Sequence, residues 1–225
     1  RRRGERVRFG DRIIHGIERA LVALLCRVDD ADISKVPAGG PLLIVTNHIN
    51  FLEIPVVHTR LLPRRVFALA KAEAWDNRVL GWLFDRWGAI PVRRGESDLG
   101  AMRKCLEVLE DGAILVIAPE GTRSRDGRLQ HGHAGVVALA LRSGAPILPL
   151  VFYGGEKLGE NLRRLRRTPF HIVVGEPFRL DGGGGRVTQE RRQEMAADVM
   201  QRLAGLLPIE YHGEYAVAEA APGDD

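Results

Sequence analysis

Residues 113–119 read AILVIAP, an almost unbroken apolar run too short for a typical helix. A strand tolerates apolar side chains on both faces only where both faces are covered, which is its situation inside a parallel sheet flanked by helices. Comparable runs recur at 41–46 (PLLIVT), 65–70 (RVFALA), 89–92 (AIPV), 146–153 (PILPLVFY) and 170–175 (FHIVVG). Helical patterns separate them. Residues 54–62 form one such segment, with Pro55 tolerated only in a first turn. In 76–87, Val79, Leu80, Leu83, Phe84 and Trp87 fall on one side. A helix capped by Ser97 or Asp98 carries Leu99, Met102, Leu106 and Leu109 and stops at Asp111-Gly112. Further helices are expected near 132–143 and at 188–207, the last with Met195, Val199, Met200, Leu203 and Leu206 facing inward. This alternation predicts an α/β fold, a mostly parallel central sheet flanked by helices.

The 225 residues suit one domain with a small appendage. At 45% hydrophobic and 28% charged they can bury a core, which excludes a disordered chain. The formal net charge of +4 points to an anionic partner without choosing among nucleic acid, anionic lipid and phosphorylated substrate. Cys26 and Cys105 both fall in apolar helical patterns and form neither a disulfide framework nor a CxxC pair. No apolar run reaches transmembrane length, and RRRGERVRFG is not followed by a signal-peptide cleavage pattern.

Residues 11–29 predict an amphipathic helix with Ile13, Ile14, Ile17, Leu21, Leu24, Leu25 and Val28 on one face, preceded by a basic flank of Arg1, Arg2, Arg3, Arg6, Arg8 and Arg12. Such a face can lie on anionic lipid or pack on the domain core, and both uses are open. The expected division is a membrane-associating segment over 1–35, a main domain over 36–210 and a tail over 211–225, frayed in AVAEAAPGDD.

Two stretches carry candidate chemistry. TNHINFLE, 46–53, places His48 just beyond the carboxyl end of a buried strand, where open α/β sheets put their sites. A continuous helix would turn the side chains of His48 and Glu53 about 140° apart. A turn at Asn47 and Asn50, with a helix starting near Glu53, lets the carboxylate reach the ring and leaves the other ring nitrogen free as a base. From the residues alone, a structural histidine near a surface glutamate is the safer reading. The second stretch, APEGTRSRDG at 118–127, also follows a buried strand. Gly121 permits close backbone approach and Arg123 offers a planar fork, which suits an anion site or simply a charged turn.

NHINFLE, GAIPVRRG, PEGTRS and PILPLVFYG stand in the order of the motif blocks of the glycerophospholipid acyltransferases, and the chain resembles that family from about residue 40 to 178. The resemblance implies transfer of a fatty acyl group from a thioester, on acyl-CoA or acyl carrier protein, to the free hydroxyl of 1-acylglycerol 3-phosphate or another lysolipid, with no cofactor. His48 would be the general base and Glu53 its partner, with no acyl-enzyme. Arg94 would bind the acceptor phosphate, with Arg93 leaving open which arginine points inward. Glu120, Gly121, Thr122 and Arg123 match the third block's acceptor-binding positions, Lys71 a recurring lysine, and PILPLV an apolar wall shaped by Pro149. The implied setting is peripheral or monotopic, on the cytoplasmic face of the cell membrane, against an anionic surface. One position departs: the family has aspartate where this chain has Glu53, so a carbon of about 1.5 Å must be absorbed, and the local turn is expected to absorb it.

Other readings fare less well. No G-x-S-x-G elbow occurs. His131-Gly-His133 lacks a third ligand, so no metal is expected there, and His131 adds positive charge to the acceptor surface or does nothing. Cys105 reads as a packed thiol. NLRRLRRTP at 161–169 and DGGGGR at 181–186 read as loop and linker. The arginines lack the aromatic interleaving of a nucleic-acid surface, so no nucleic acid is expected and lipid headgroups suit them better. A catalytically drifted basic lipid-binding module is the non-enzyme alternative.

Overall fold

The computed structural model describes residues 9–93, 98–185 and 187–216, with side chains from Ile14 onward. Arg94 lies outside the described residues, as do the basic run 1–8 and the tail 217–225. Seven strands form one sheet in the order β1-β7-β6-β2-β5-β3-β4: β1 (Cys26–Asp29), β2 (Leu42–Val45), β3 (Val66–Lys71), β4 (Ala89–Val92), β5 (Ile114–Ile117), β6 (Ile147–Tyr153) and β7 (Thr168–Val174). Every neighbouring pair is parallel except β6 with β7. The fold is thus the expected α/β layer structure.

The helices are α1 (Phe9–Leu25), α2 (Glu53–Arg60), α3 (Arg78–Arg86), α4 (Leu99–Glu110), α5 (Gly135–Ser143), α6 (Leu158–Arg163) and α7 (Gln189–Ala204). Strand side chains alternate between faces, and that splits the core in two. Leu43 and Val45 of β2 join α4, α5 and α7 on one face, whereas Leu42 and Ile44 join α1 and α2 on the other. This is why β2 and β5 read as unbroken apolar runs. The caps follow the sequence: Asp98 accepts from Ala101 N–H, Asn77 from Val79 and Leu80, and Thr188 from Arg191.

Three local expectations change. The helix predicted over 11–29 stops at Leu25, and Cys26–Asp29 instead forms edge strand β1 beside β7. Arg167 donates twice to the Cys26 carbonyl, a long-range contact that overrides the helical pattern. Cys26 is therefore a buried strand residue, not a helical one, and Cys105 is buried in α4 with its thiol pushed up to about 12 by burial; neither is a nucleophile. The apolar stripe of α1 faces outward: Ile17, Leu21 and Leu24 are 55%, 52% and 70% exposed, while Glu18 and Val22 are buried against the domain. NLRRLRRTP is not a loop throughout, since it closes α6 and opens β7. At the other end of the chain, Tyr211 packs beside Tyr153, and the Tyr215 hydroxyl accepts from Gly132 N–H.

Candidate active site

The parallel strands β6, β2, β5, β3 and β4 bring their carboxyl ends to one edge of the sheet. His48 follows β2, Glu120 follows β5, and Lys71 ends β3. With strands about 4.8 Å apart, the loop after β5 stands between the His48 and Lys71 positions.

Asn47 anchors the turn. Its side chain mimics a strand neighbour, donating to the Phe152 carbonyl at 2.8 Å and accepting from Phe152 N–H at 2.8 Å, and it is 1% exposed. Asn50 then accepts from Leu52 N–H and donates to the Gly155 carbonyl, both at 2.8 Å. Gly155 is required there, because a Cβ would lie 2.9 Å from Asn50 Nδ2 and 2.7 Å from Phe170. The chain therefore reverses before α2, and Glu53 opens that helix facing back toward His48.

Glu53 Oε2 accepts from His48 Nδ1 at 2.7 Å. Its other oxygen accepts from the backbone N–H of Ile49 at 2.5 Å and of Asn50 at 2.8 Å. The longer carboxylate is thus fixed by two backbone donors while it orients the imidazole. With Nδ1 committed, Nε2 is the nitrogen left for substrate, on a side chain one-quarter exposed.

The loop after β5 clamps the same histidine from behind. Glu120, 3% exposed, accepts from His48 N–H at 3.0 Å and from Gln130 N–H at 3.1 Å, and Ser124 N–H donates to the His48 carbonyl at 2.7 Å. Both backbone groups of His48 are held by a segment about 70 residues away in sequence. Burial pushes the Glu120 carboxyl up to about 7, against the pull of those donors and of the imidazole. Glu120 thus positions His48 and does not face solvent. Gly121 turns the chain at φ +64° beside His133, and Thr122 and Arg123 follow it exposed. Lys71 is half exposed with its ammonium 3.3 Å from Glu73. His131 contacts Gln193 of α7, lies 3.7 Å from Glu214 and packs edge-on to the ring of His133.

The structure thus joins His48, Glu53 and Glu120 in direct contact, and sets Gly121, Thr122 and Arg123 next along the clamping loop. Sequence reasoning missed the strand-mimicking role of Asn47, which it took as a turn former, and the backbone donors of Ser124 and Gln130. A buried asparagine after an apolar strand was a usable signal, since such a group demands partners.

Two outcomes are expected. Asn47→Ala leaves the buried Phe152 N–H and carbonyl unpaired and should cost about 2–4 kcal/mol, read as a lower urea midpoint; a loss under about 1 kcal/mol would show that water replaces the amide. Glu120 has a folded-state pKa raised above its unfolded value of 4.5, so its proton-linked stability is fully present below pH 4.5 and is lost as pH rises through about 7. Relative to Glu120→Gln, the parent should lose up to about 3 kcal/mol more between pH 4.5 and 8. Parallel stability profiles for the two proteins would contradict a buried titrating carboxyl.

The family model for acyltransferases matches residues 27–153, more than half of the chain. The chain belongs to the acyltransferase family. Its relatives include 1-acyl-sn-glycerol-3-phosphate acyltransferase BAT2 of Brassica napus chloroplasts, 29% identical over 59% of this chain and 39% of that protein. The lyso-ornithine lipid O-acyltransferase of Pseudomonas aeruginosa is 31% identical over 63% of this chain and 61% of its own length. The chain thus spans about two-fifths and three-fifths of these acyltransferases. The crystal structure of the 1-acyl-sn-glycerophosphate (LPA) acyltransferase PlsC from Thermotoga maritima matches with a TM-score of 0.59, covering 87% of this chain and 78% of that one, at 22% identity. That likeness establishes a shared acyltransferase fold.

Proposed function

We propose that the chain transfers a fatty acyl group from a thioester donor, acyl-CoA or acyl carrier protein, to the free hydroxyl of 1-acylglycerol 3-phosphate, giving phosphatidic acid. The observation that carries this reading is the His48–Glu53 contact at the carboxyl end of β2, with both backbone groups of His48 clamped by the loop after β5. In the proposed step His48 Nε2 accepts the acceptor hydroxyl proton as that oxygen bonds to the thioester carbonyl carbon. Glu53 stabilises the imidazolium that forms. Collapse breaks the carbon–sulfur bond, and the departing thiolate takes the proton from Nε2. The chain uses no covalent intermediate and draws on no cofactor for this chemistry. Lys71, Arg94 and Arg123 are the cations proposed to meet the acceptor phosphate, with Gly121 and Thr122 shaping the approach. The Pseudomonas relative's name favours a second reading, another lysolipid as acceptor. Acylation of lysophosphatidic acid by purified protein, against a panel of other lysolipids, tests both. Turnover of a different lysolipid alone selects the second reading, and no turnover of any acceptor overturns both.

The reaction is proposed to occur at an anionic membrane surface, on the cytoplasmic face, with the protein peripheral or monotopic. No described helix is long and apolar enough to cross a membrane. Support comes from apolar side chains turned to solvent: Ile17, Leu21 and Leu24 on α1, and Val79, Leu80 and Trp82 on α3, the last three 73%, 45% and 54% exposed. Each leucine withdrawn from water contributes about 1.5–3 kcal/mol. Leu21→Glu with Leu24→Glu should therefore weaken binding to vesicles containing phosphatidylglycerol by at least about tenfold. Unchanged vesicle binding, or affinity for oligonucleotides instead, would sink the membrane reading.

A further inference from the structure

On the face of the sheet that α1 and α2 cover, three ionisable side chains meet outside the candidate active site. His15 and Glu18, one helical turn apart on α1, share a face. His58, in the last turn of α2, reaches the same point. Glu18 Oε2 lies 3.3 Å from His15 Nδ1 and 3.6 Å from His58 Nδ1, and one ligand atom from each residue lies within 4.8 Å of the others. The imidazoles are 4.8 Å apart between centroids. His58 Nδ1 is buried without a hydrogen-bond partner, a cost that a native structure ordinarily avoids. Glu18 is itself buried, so its carboxylate sits between these rings and away from water.

We propose that His15, Glu18 and His58 form a binding site for a divalent transition-metal ion, of which zinc is the best fit. Two imidazoles and one carboxylate are a donor set that zinc prefers, leaving a fourth position for water. Ligands at about 2.0–2.1 Å from a tetrahedral ion are separated by about 3.4 Å. The two contacts to Glu18 Oε2 bracket that figure, and the two histidine ligand atoms, within 4.8 Å of each other, close on the ion by up to about 1.4 Å. The carboxylate has the outer support that metal ligands ordinarily have, because Trp87 Nε1–H donates to Glu18 Oε1 at 2.7 Å and leaves Oε2 to face both rings. An ion would give the orphaned His58 Nδ1 a partner. It would also clasp α1 to α2, the helix that begins with Glu53, and through Trp87 to the end of α3.

The test is a titration of chelator-stripped full chain with Co²⁺, followed by displacement with Zn²⁺. One equivalent per chain should produce the visible d–d absorption of a tetrahedral site, and Zn²⁺ should raise the Tm in proportion to the logarithm of its excess over Kd. His15→Gln and His58→Gln, each confirmed folded by circular dichroism, should bind at least about 100-fold more weakly, and Trp87→Phe, which removes only the outer donor, about tenfold more weakly. Should His58→Gln fail to fold, His15→Gln on α1 carries the test. His131→Gln, on the other histidine pair, should bind like the parent. Absence of absorption and Tm shift in the parent overturns the proposal. So does binding that survives both ligand variants or disappears with His131→Gln. In either case the cluster is a histidine–carboxylate contact alone.

Discussion

Replacing His48 with alanine is expected to lower kcat for thioester-dependent acylation by about 10³-fold while the protein stays folded. A positioned general base contributes about 10²–10⁴, and His48 is held for that role by a buried carboxylate at the carboxyl end of β2. His133, whose ring lies 3.5 Å from where a Gly121 Cβ would stand, has among the described residues no carboxylate contact like that of Glu53 with His48. The stability cost should be small. The backbone of His48, not its ring, makes the contacts to Glu120 and Ser124, and alanine keeps both. The ring itself is one-quarter exposed and gives up a single hydrogen bond to a buried carboxylate whose other oxygen keeps both backbone donors, a change of about 1–3 kcal/mol. Single-turnover rates with lysophosphatidic acid, beside thermal unfolding, separate the two effects. Activity within tenfold of the parent would remove His48 from the mechanism.

The second large effect falls on Glu53. Glu53→Gln keeps the size but turns an amide NH₂ toward donors, either His48 Nδ1–H or the N–H groups of Ile49 and Asn50, and it removes the charge opposite the imidazolium. A loss of about 10²–10⁴ in kcat is expected, with KM nearly unchanged because Glu53 is buried behind His48. Glu53→Asp is the sharper probe. The family's aspartate is one carbon shorter, and here the longer side chain spans both the imidazole and two backbone donors at once. Shortened by about 1.5 Å, it can keep one set but not both in this backbone, so the rate should fall about tenfold or more. An aspartate variant as fast as the parent would mean that the turn relaxes to suit either length.

The strand runs were legible because a strand covered on both faces leaves few polar residues in its core, and Leu42–Val45, Ile114–Ile117 and Ile147–Tyr153 lie inside the expected ranges. His48, Glu53 and Glu120 were legible as positions beyond strand ends. What local pattern could not supply was the direction of each face. The periodicity of α1 was read correctly, yet the buried side carries Glu18 and Val22 while Ile17, Leu21 and Leu24 point out. Periodicity identifies a stripe and is silent on whether protein, lipid or water covers it. β1 was misread for a related reason: Cys26–Asp29 gains its partners from β7, about 140 residues later, and helical propensity alone cannot register that.

The amino-acid order settled the α/β class and the points where strands hand over to turns, because side-chain period and strand-end position are properties of contiguous residues. It also placed a histidine and a carboxylate five residues apart across one such turn. Folding in three dimensions decided everything that joins distant segments. Glu120 and Ser124 hold the His48 backbone, Asn47 splices β2 onto β6, and Glu18 collects His15, His58 and Trp87 from three helices. Apart from the one to His58 Nδ1, which stays without a hydrogen bond, these contacts satisfy polar groups withdrawn from water, and which groups are withdrawn depends on how the layers pack.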